Sequence, residues 1–266
     1  MRTKNVLFNS DIHNDRHLDL SKGYVDNNNH YKAAYIFKFV KDNQNNENIN
    51  NIVYKDAYSS NKTFLERYYL GSPYAKNNSN DIIDTQYIFS EYMANDITNP
   101  FSSLNLNKYL RNYEGWKNDV EERIFRLDSF IERFVLKEDL VVYRGFTLNS
   151  NSDLAHDLDQ AYKYIYENHE PYGFVDMGFL STTRDPMYAH FLAEYGNGNI
   201  SVYMSIIAKK GVRCIPLISE YGTTMNDMEK EVVFHAFSKY KIVGIERYEF
   251  LKRLHYDIIL LAEPSL

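Results

Sequence analysis

Residues 116–145 read WKNDVEERIFRLDSFIERFVLKEDLVVYRG, and a change of period inside this stretch decides the fold class. Over residues 116–135 the apolar side chains Val120, Ile124, Leu127, Ile131 and Phe134 recur at steps of three and four. That spacing gathers them on one face of an α-helix, with the charged residues left facing water. After Lys137 the helical period stops, and residues 140–143 open a series of short runs rich in β-branched and aromatic side chains. Further runs at 178–182, 200–207, 211–215, 231–237, 240–248 and 256–261 predict strands. Two helices are expected between them, at 152–168 and at 186–194; the second opens on Pro186, which suits a first helical turn. Helices followed by many short strands predict an α+β fold with a mixed or antiparallel β-sandwich core.

Upstream of the decisive stretch, Ile88, Phe89 and Tyr92 predict a helix over 85–95, and a second is expected over 104–110. The first 84 residues have a different texture. Asparagine clusters at Asn27, Asn28 and Asn29 and between Asn43 and Asn51 favour turns and solvated loops. Only 31–40 and 63–70 look ordered. The expected division is therefore an Asn-rich N-terminal appendage over 1–84, of unassigned role, and a folded domain over 85–266.

A net charge of −6 argues against general binding to nucleic acid or to an anionic membrane. The single cysteine, Cys214, excludes an internal disulfide and a cysteine-rich metal site, and its apolar neighbours predict a buried strand thiol. The eight histidines show no ligand spacing, so no metal is expected. Residues 1–20 carry Asp11, His13, Asp15, Arg16 and His17 in place of the apolar run of a secretory signal peptide. No stretch approaches the roughly 18 apolar residues that span a bilayer. These features predict a soluble protein in the cytoplasm of a producing or a target host cell, with delivery independent of a signal peptide left open.

Three short motifs carry chemistry. In Val141-Val142-Tyr143-Arg144-Gly145 an arginine leaves a buried strand, where its planar guanidinium can hold a phosphate through parallel charge-assisted hydrogen bonds. Gly145 lacks a Cβ, which lets backbone approach a flat ligand. In Gly178-Phe179-Leu180-Ser181-Thr182-Thr183, strand alternation puts Ser181 and Thr183 on one side and Thr182 on the other. In Glu229-Lys230-Glu231, the same alternation predicts two carboxylates on one face. Like charges that close raise one pKa, a feature of active sites more than of stable surfaces. The polar stretch 219–228 before this pair reads as an exposed loop. Each motif alone also has an ordinary reading: a structural ion pair, a strand-end turn, a solvated edge.

In this order and spacing the motifs resemble the arginine–serine–glutamate class of ADP-ribosyltransferases, which includes the bacterial ADP-ribosylating exotoxins. Tyr143-Arg144-Gly145 stands for the aromatic-Arg-Gly strand, Ser181-Thr182-Thr183 for Ser-Thr-Ser and Glu229-Lys230-Glu231 for Glu-x-Glu. The stretches Ser90-Glu91-Tyr92 and Leu106 to Arg111 look like the helical lead-in of such catalytic domains. Thr183 departs from the pattern but keeps a hydroxyl. The resemblance covers about residues 85–264.

The resemblance implies a catalytic domain over 85–266 that uses NAD as co-substrate, without a metal, and moves ADP-ribose to a target protein. Glu231 would stabilise the oxocarbenium-like centre formed as nicotinamide leaves, oriented by Ser181. Arg144 would hold an NAD phosphate, with Gly145, Thr182 and, as a second phosphate contact, Arg184 completing the NAD site. Glu229 would face the acceptor, and a glutamate there implies an arginine acceptor because a carboxylate can pair with a guanidinium and take its proton. Tyr221, in the exposed loop, would contact the protein substrate. Two other outcomes share this reading of the residues: an NAD glycohydrolase, and a degenerate module that binds without catalysis.

Overall fold

The computed structural model describes residues 6–7, 60–69, 92, 102–112, 118–217 and 230–264. The expected helix at 85–95 is described only at Tyr92, and the island at 31–40 lies outside the described residues. Helix α1 (Asn61–Tyr68) starts at Ser60, whose side chain accepts from the Thr63 N–H. Helices α2 (Ser103–Asn112) and α3 (Asn118–Ile131) follow. Asp119 and Glu121 in the first turn of α3 suit the positive end of its dipole. The helix is shorter than its apolar period: it stops at Ile131, and Phe134 and Leu136 stay buried in the extended segment beyond.

The strands are β1 (Val6–Leu7), β2 (Leu140–Leu148), β3 (Tyr172–Asp176), β4 (Leu180–Thr183), β5 (Ile200–Ala208), β6 (Cys214–Pro216), β7 (Glu231–Phe234), β8 (Ser238–Phe250) and β9 (Arg253–Glu263). Two helices lie between them. Helix α4 (Asp153–Asn168) is capped by Ser152 and ends on His169 in the left-handed region. Helix α5 (Pro186–Tyr195) is capped by Asp185, whose carboxylate accepts from the N–H groups of Met187 and Tyr188. Strand β3 has no counterpart among the expected strands. Its five residues contain a glycine and pair only with β8, so its apolar signal is weak.

The sheet runs β1-β8-β9-β5-β2-β4-β7-β6, with β3 also on β8. Pairing is antiparallel except for β5 with β9, so the sheet is mixed, as expected for this α+β fold. Strand β5 lies in its middle with all nine residues buried, the pattern of a strand covered on both faces. The β2–β5 ladder pairs residues 140–148 with 200–208 along its whole length. By contrast β2 meets β4 through one pair, Tyr143 with Thr183. The sheet is thus nearly divided at that seam.

Most buried apolar side chains form one core, and it does not begin at residue 84. Phe64, Leu65, Tyr68 and Tyr69 belong to the same cluster as Leu127, Ile131, Val142, Ile206 and Phe234. The Tyr69 hydroxyl donates to the Cys214 carbonyl at 3.0 Å, and the Lys137 N–H donates to the Tyr68 carbonyl at 2.9 Å. Helix α1 is a structural part of the domain because its apolar face is buried in that shared core. Cys214 is buried, and burial pushes its thiol up to about 12, consistent with an inert core residue. Among the described residues no helix is long and apolar enough to cross a membrane.

Candidate active site

The three motifs converge at the seam. Ser181 pairs with Val233 in the β4–β7 ladder, and Thr183 pairs with Glu231. Ser181 and Glu231 are therefore diagonal neighbours on one face, within reach of each other. The Ser181 hydroxyl donates to Glu231 Oε1. From the other side of the seam, Arg144 Nη1 donates to the Ser181 carbonyl at 2.5 Å. Arg144 also lies over the Phe146 ring, 5.4 Å from its centroid. A guanidinium, a hydroxyl and a carboxylate thus form one chain of contacts across the seam.

Helix α2 closes the site with residues that the motif reading did not assign. Asn107 and Arg111 are four apart and share a helix face. Arg111 pairs with Asp176 through two hydrogen bonds of 3.0 Å, and Asn107 Oδ1 accepts from the Phe179 N–H at 2.7 Å. Tyr92 packs edge-on to Phe179 with ring centroids 5.8 Å apart. Burial, and then the nearby Arg111 charge, lower the Arg144 pKa, opposed by Asp176, Tyr92 and Glu231. An arginine so placed still stays protonated. Burial and the Glu231 charge raise the Tyr92 hydroxyl, opposed by Asn107, Arg144 and Arg111. Tyr92, Arg111, Arg144 and Glu231 share one electrostatic environment. The sequence carried a partial signal in the i, i+4 spacing of Asn107 and Arg111. It held no indication of which strand they meet.

Other expected site residues are placed differently. Thr182 is buried, and its hydroxyl donates to the Val232 carbonyl at 2.6 Å. Its side chain is committed to the β4–β7 ladder on the face away from Ser181. Gly145 does permit a close approach, but of helix α5: a Cβ there would stand 1.6 Å from the Ala189 carbonyl oxygen and 2.9 Å from the Ala193 nitrogen. Arg184 is 4% exposed, and its guanidinium carbon lies 4.2 Å from the centroid of Phe64. It is turned into the protein, where an aromatic face stabilises the cation.

Glu229 and Tyr221 lie outside the described residues. The backbone next to Glu229 is informative, however. Strand β7 begins at Glu231, and Lys230 has φ 43, in the left-handed region. Strand alternation therefore does not run through Lys230, and it is no guide to where Glu229 projects relative to Glu231. Among the described residues no group of three His, Cys, Asp or Glu is placed to hold a metal.

Comparison with known proteins identifies the family of the chain. The model of the ADP-ribosyltransferase exoenzyme family matches residues 46–263, well over half of the chain. No curated protein sequence matches. Among solved structures, Plx2a, an ADP-ribosyltransferase toxin from Paenibacillus larvae, aligns with TM-score 0.56 at 17% identity, over 76% of this chain and 94% of its own. The C3larvin toxin, an ADP-ribosyltransferase from the same organism, gives 0.51 at 18%, over 73% of this chain and 100% of its own. The enzymatic component C2-I of the C2-toxin from Clostridium botulinum gives 0.52 at 15%, over 77% of this chain and 48% of its own. At these identities the likeness is one of fold, and it places the α+β architecture with these toxins. Taken with the family match and the motif order, it makes the chain a member of the ADP-ribosyltransferase exoenzyme family, NAD-dependent enzymes that transfer a single ADP-ribose to a protein.

Proposed function

We propose that Glu231 is the carboxylate that carries the reaction, with Ser181 orienting it and Arg144 holding the NAD diphosphate. The bond between nicotinamide and the ribose anomeric carbon breaks, and nicotinamide departs with the electron pair. The developing positive charge on the ribose is stabilised by a fixed carboxylate in surroundings poor in water, where such an interaction is strongest. A nucleophile of the target protein then bonds to the anomeric carbon and gives up its proton. The observation that carries this reading is the Ser181 hydroxyl on Glu231 Oε1, beside an arginine bonded to the same strand.

Arg144 uses one N–H on the Ser181 carbonyl, and its remaining donors suit a diphosphate. Beyond its pair with Thr183 at Tyr143, β2 continues to Leu148, and the side of Gly145 toward β4 has no strand partner among the described residues. Those backbone groups are suited to the nicotinamide amide. We assign Glu229 to the acceptor and arginine as the acceptor side chain, because a carboxylate can bind a guanidinium and remove its proton. Tyr221 is assigned to contact with the target protein.

Labelled NAD added to cell lysate tests the whole assignment. Label should appear on protein with the wild type and disappear with Glu231→Gln. Nicotinamide release without labelled protein would mean a glycohydrolase, and equal labelling by both would overturn the role of Glu231. Fragment-ion mass spectrometry of the modified peptide identifies the acceptor side chain; a residue other than arginine would overturn that assignment. Glu229→Gln should suppress arginine labelling while NAD hydrolysis continues.

A further inference from the structure

Phe64 is about 120 residues before Arg184 in the chain, yet its ring lies directly under the Arg184 guanidinium, 4.2 Å from carbon to centroid. Phe64 is 1% exposed and Arg184 4%. A cation held against an aromatic face away from water is the setting in which this attraction is strongest. Phe64 is also held firmly. It packs against Tyr68 and Tyr69, and Tyr69 packs edge-on to Phe134 and bonds to the Cys214 carbonyl.

The other end of the contact leads to Glu231. The Arg184 N–H donates to the Lys230 carbonyl at 3.1 Å, one step beyond the Thr183–Glu231 pair. Asp185 donates its N–H to Thr183 Oγ1 at 2.9 Å, and Lys230 Nζ lies 3.5 Å from Asp185 Oδ2. The turn 183–185 thus holds Lys230 by backbone and by side chain. Lys230 in turn adopts φ 43, which residues other than glycine take only when their surroundings hold them there.

We infer that Phe64 and Arg184 form a clamp that positions Glu231. Helix α1 fixes the turn after β4, the turn keeps Lys230 left-handed, and Lys230 sets the angle at which Glu231 enters β7 and meets Ser181. Arg184 is accordingly a positioning residue and not a phosphate ligand. This inference rests on Glu231 being the reactive carboxylate.

The test measures kcat and KM for NAD from nicotinamide release, in the wild type, Phe64→Leu, Arg184→Met, the double variant, Arg184→Lys and Glu231→Gln. Phe64→Leu and Arg184→Met should each lower kcat roughly tenfold, since a small misplacement of a reacting group costs that order of rate. KM for NAD should change less than about twofold, since no ligand contact is lost. The double variant should be no slower than either single one, because both remove the same contact. Arg184→Lys, which keeps the cation, should restore most of kcat. If Phe64→Leu does not fold, the Arg184 pair carries the comparison, with melting curves confirming that those variants do. A large rise in KM with kcat unchanged in Arg184→Met would make Arg184 a ligand contact and overturn the clamp. So would unchanged kcat in these variants, or additive losses in the double variant. In each of these cases Glu231→Gln is still inactive; if Glu231→Gln turns over like the wild type, the role of Glu231 fails first and the clamp falls with it.

Discussion

The two sides of the seam between β2 and β4 are built on different principles. On one side β5, β8 and β9 are nine, 13 and 11 residues long, and β5 is buried throughout. On the other, β4, β7 and β6 are four, four and three residues long, and they hold Ser181 and Glu231. Long strands take their register from many backbone rungs and an apolar face, because a slip of one residue would expose every buried side chain. Short strands have too few rungs for that. Their register depends on individual bonds: Thr182 to the Val232 carbonyl, Ser181 to Glu231, Arg144 to the Ser181 carbonyl, and Arg184 to Lys230. The proposed chemistry therefore sits where single side chains matter most. The long side supplies rigidity, and the short side supplies aim.

On that contrast, changes to Arg144, Ser181 or Glu231 at the seam affect turnover most, and changes that only disturb packing affect stability. The largest expected effect is that of Glu231→Gln, which should lower NAD turnover by about two to three orders of magnitude with the melting temperature nearly unchanged. Nicotinamide release with a parallel thermal melt measures both; retained turnover would move the chemistry away from the short strands. Gly145→Ala, on β2, should lower stability. Its Cβ would overlap the Ala189 backbone of α5, which has no flexible side chain to yield. Denaturant unfolding should show a loss of about 3 kcal/mol or more.

Two neighbouring hydroxyls sharpen the comparison within the short side itself. Ser181→Ala should lower kcat roughly tenfold by releasing Glu231 from its orienting bond. Thr182→Val should leave kcat within about twofold, while losing about 1–2 kcal/mol of stability from a buried hydroxyl–carbonyl bond. Equal effects on kcat would mean that strand alternation does not separate the two roles.

The smallest expected effect is at the end of β7. His235 faces Asp128 on α3 at 3.0 Å and Glu132, just past the end of that helix, at 3.6 Å. Burial pulls its pKa down, but the Asp128 hydrogen bond and charge, the Ala236 carbonyl and Glu132 outweigh that and raise it. A folded-state pKa above the unfolded value of about 6.5 means the stabilisation is fully present below about pH 6.5. It is lost as pH rises through the folded pKa. Melting temperatures of the wild type and His235→Gln should therefore converge as pH rises above about 6.5. A constant difference across that range would show that proton binding at His235 is not linked to folding.

Much of this is legible in the sequence. The i, i+3, i+4 spacing from Val120 to Ile131 identified α3, and Ser152 and Pro186 marked the starts of α4 and α5. Arg144, Ser181 and Glu231 were picked out by residue type and order, and they do meet. Other features were hidden for identifiable reasons. Helix α1 is hard to see in the sequence because asparagine-rich residues surround a short apolar face that a distant core covers. Alternation across Glu229 and Glu231 assumed extended backbone, and Lys230 is left-handed.

What the sequence by itself determined is the class of fold and the class of chemistry. Both follow from local properties, namely the period of apolar residues and the identity of side chains at strand ends. Only the tertiary structure decided the assignments among similar groups. Of the adjacent hydroxyls, Ser181 meets the carboxylate and Thr182 binds its own ladder. Of the arginines, Arg144 stands at the seam, Arg111 joins it from α2, and Arg184 is turned onto Phe64. These choices depend on which distant element lies opposite each side chain, and that is set when the whole core closes.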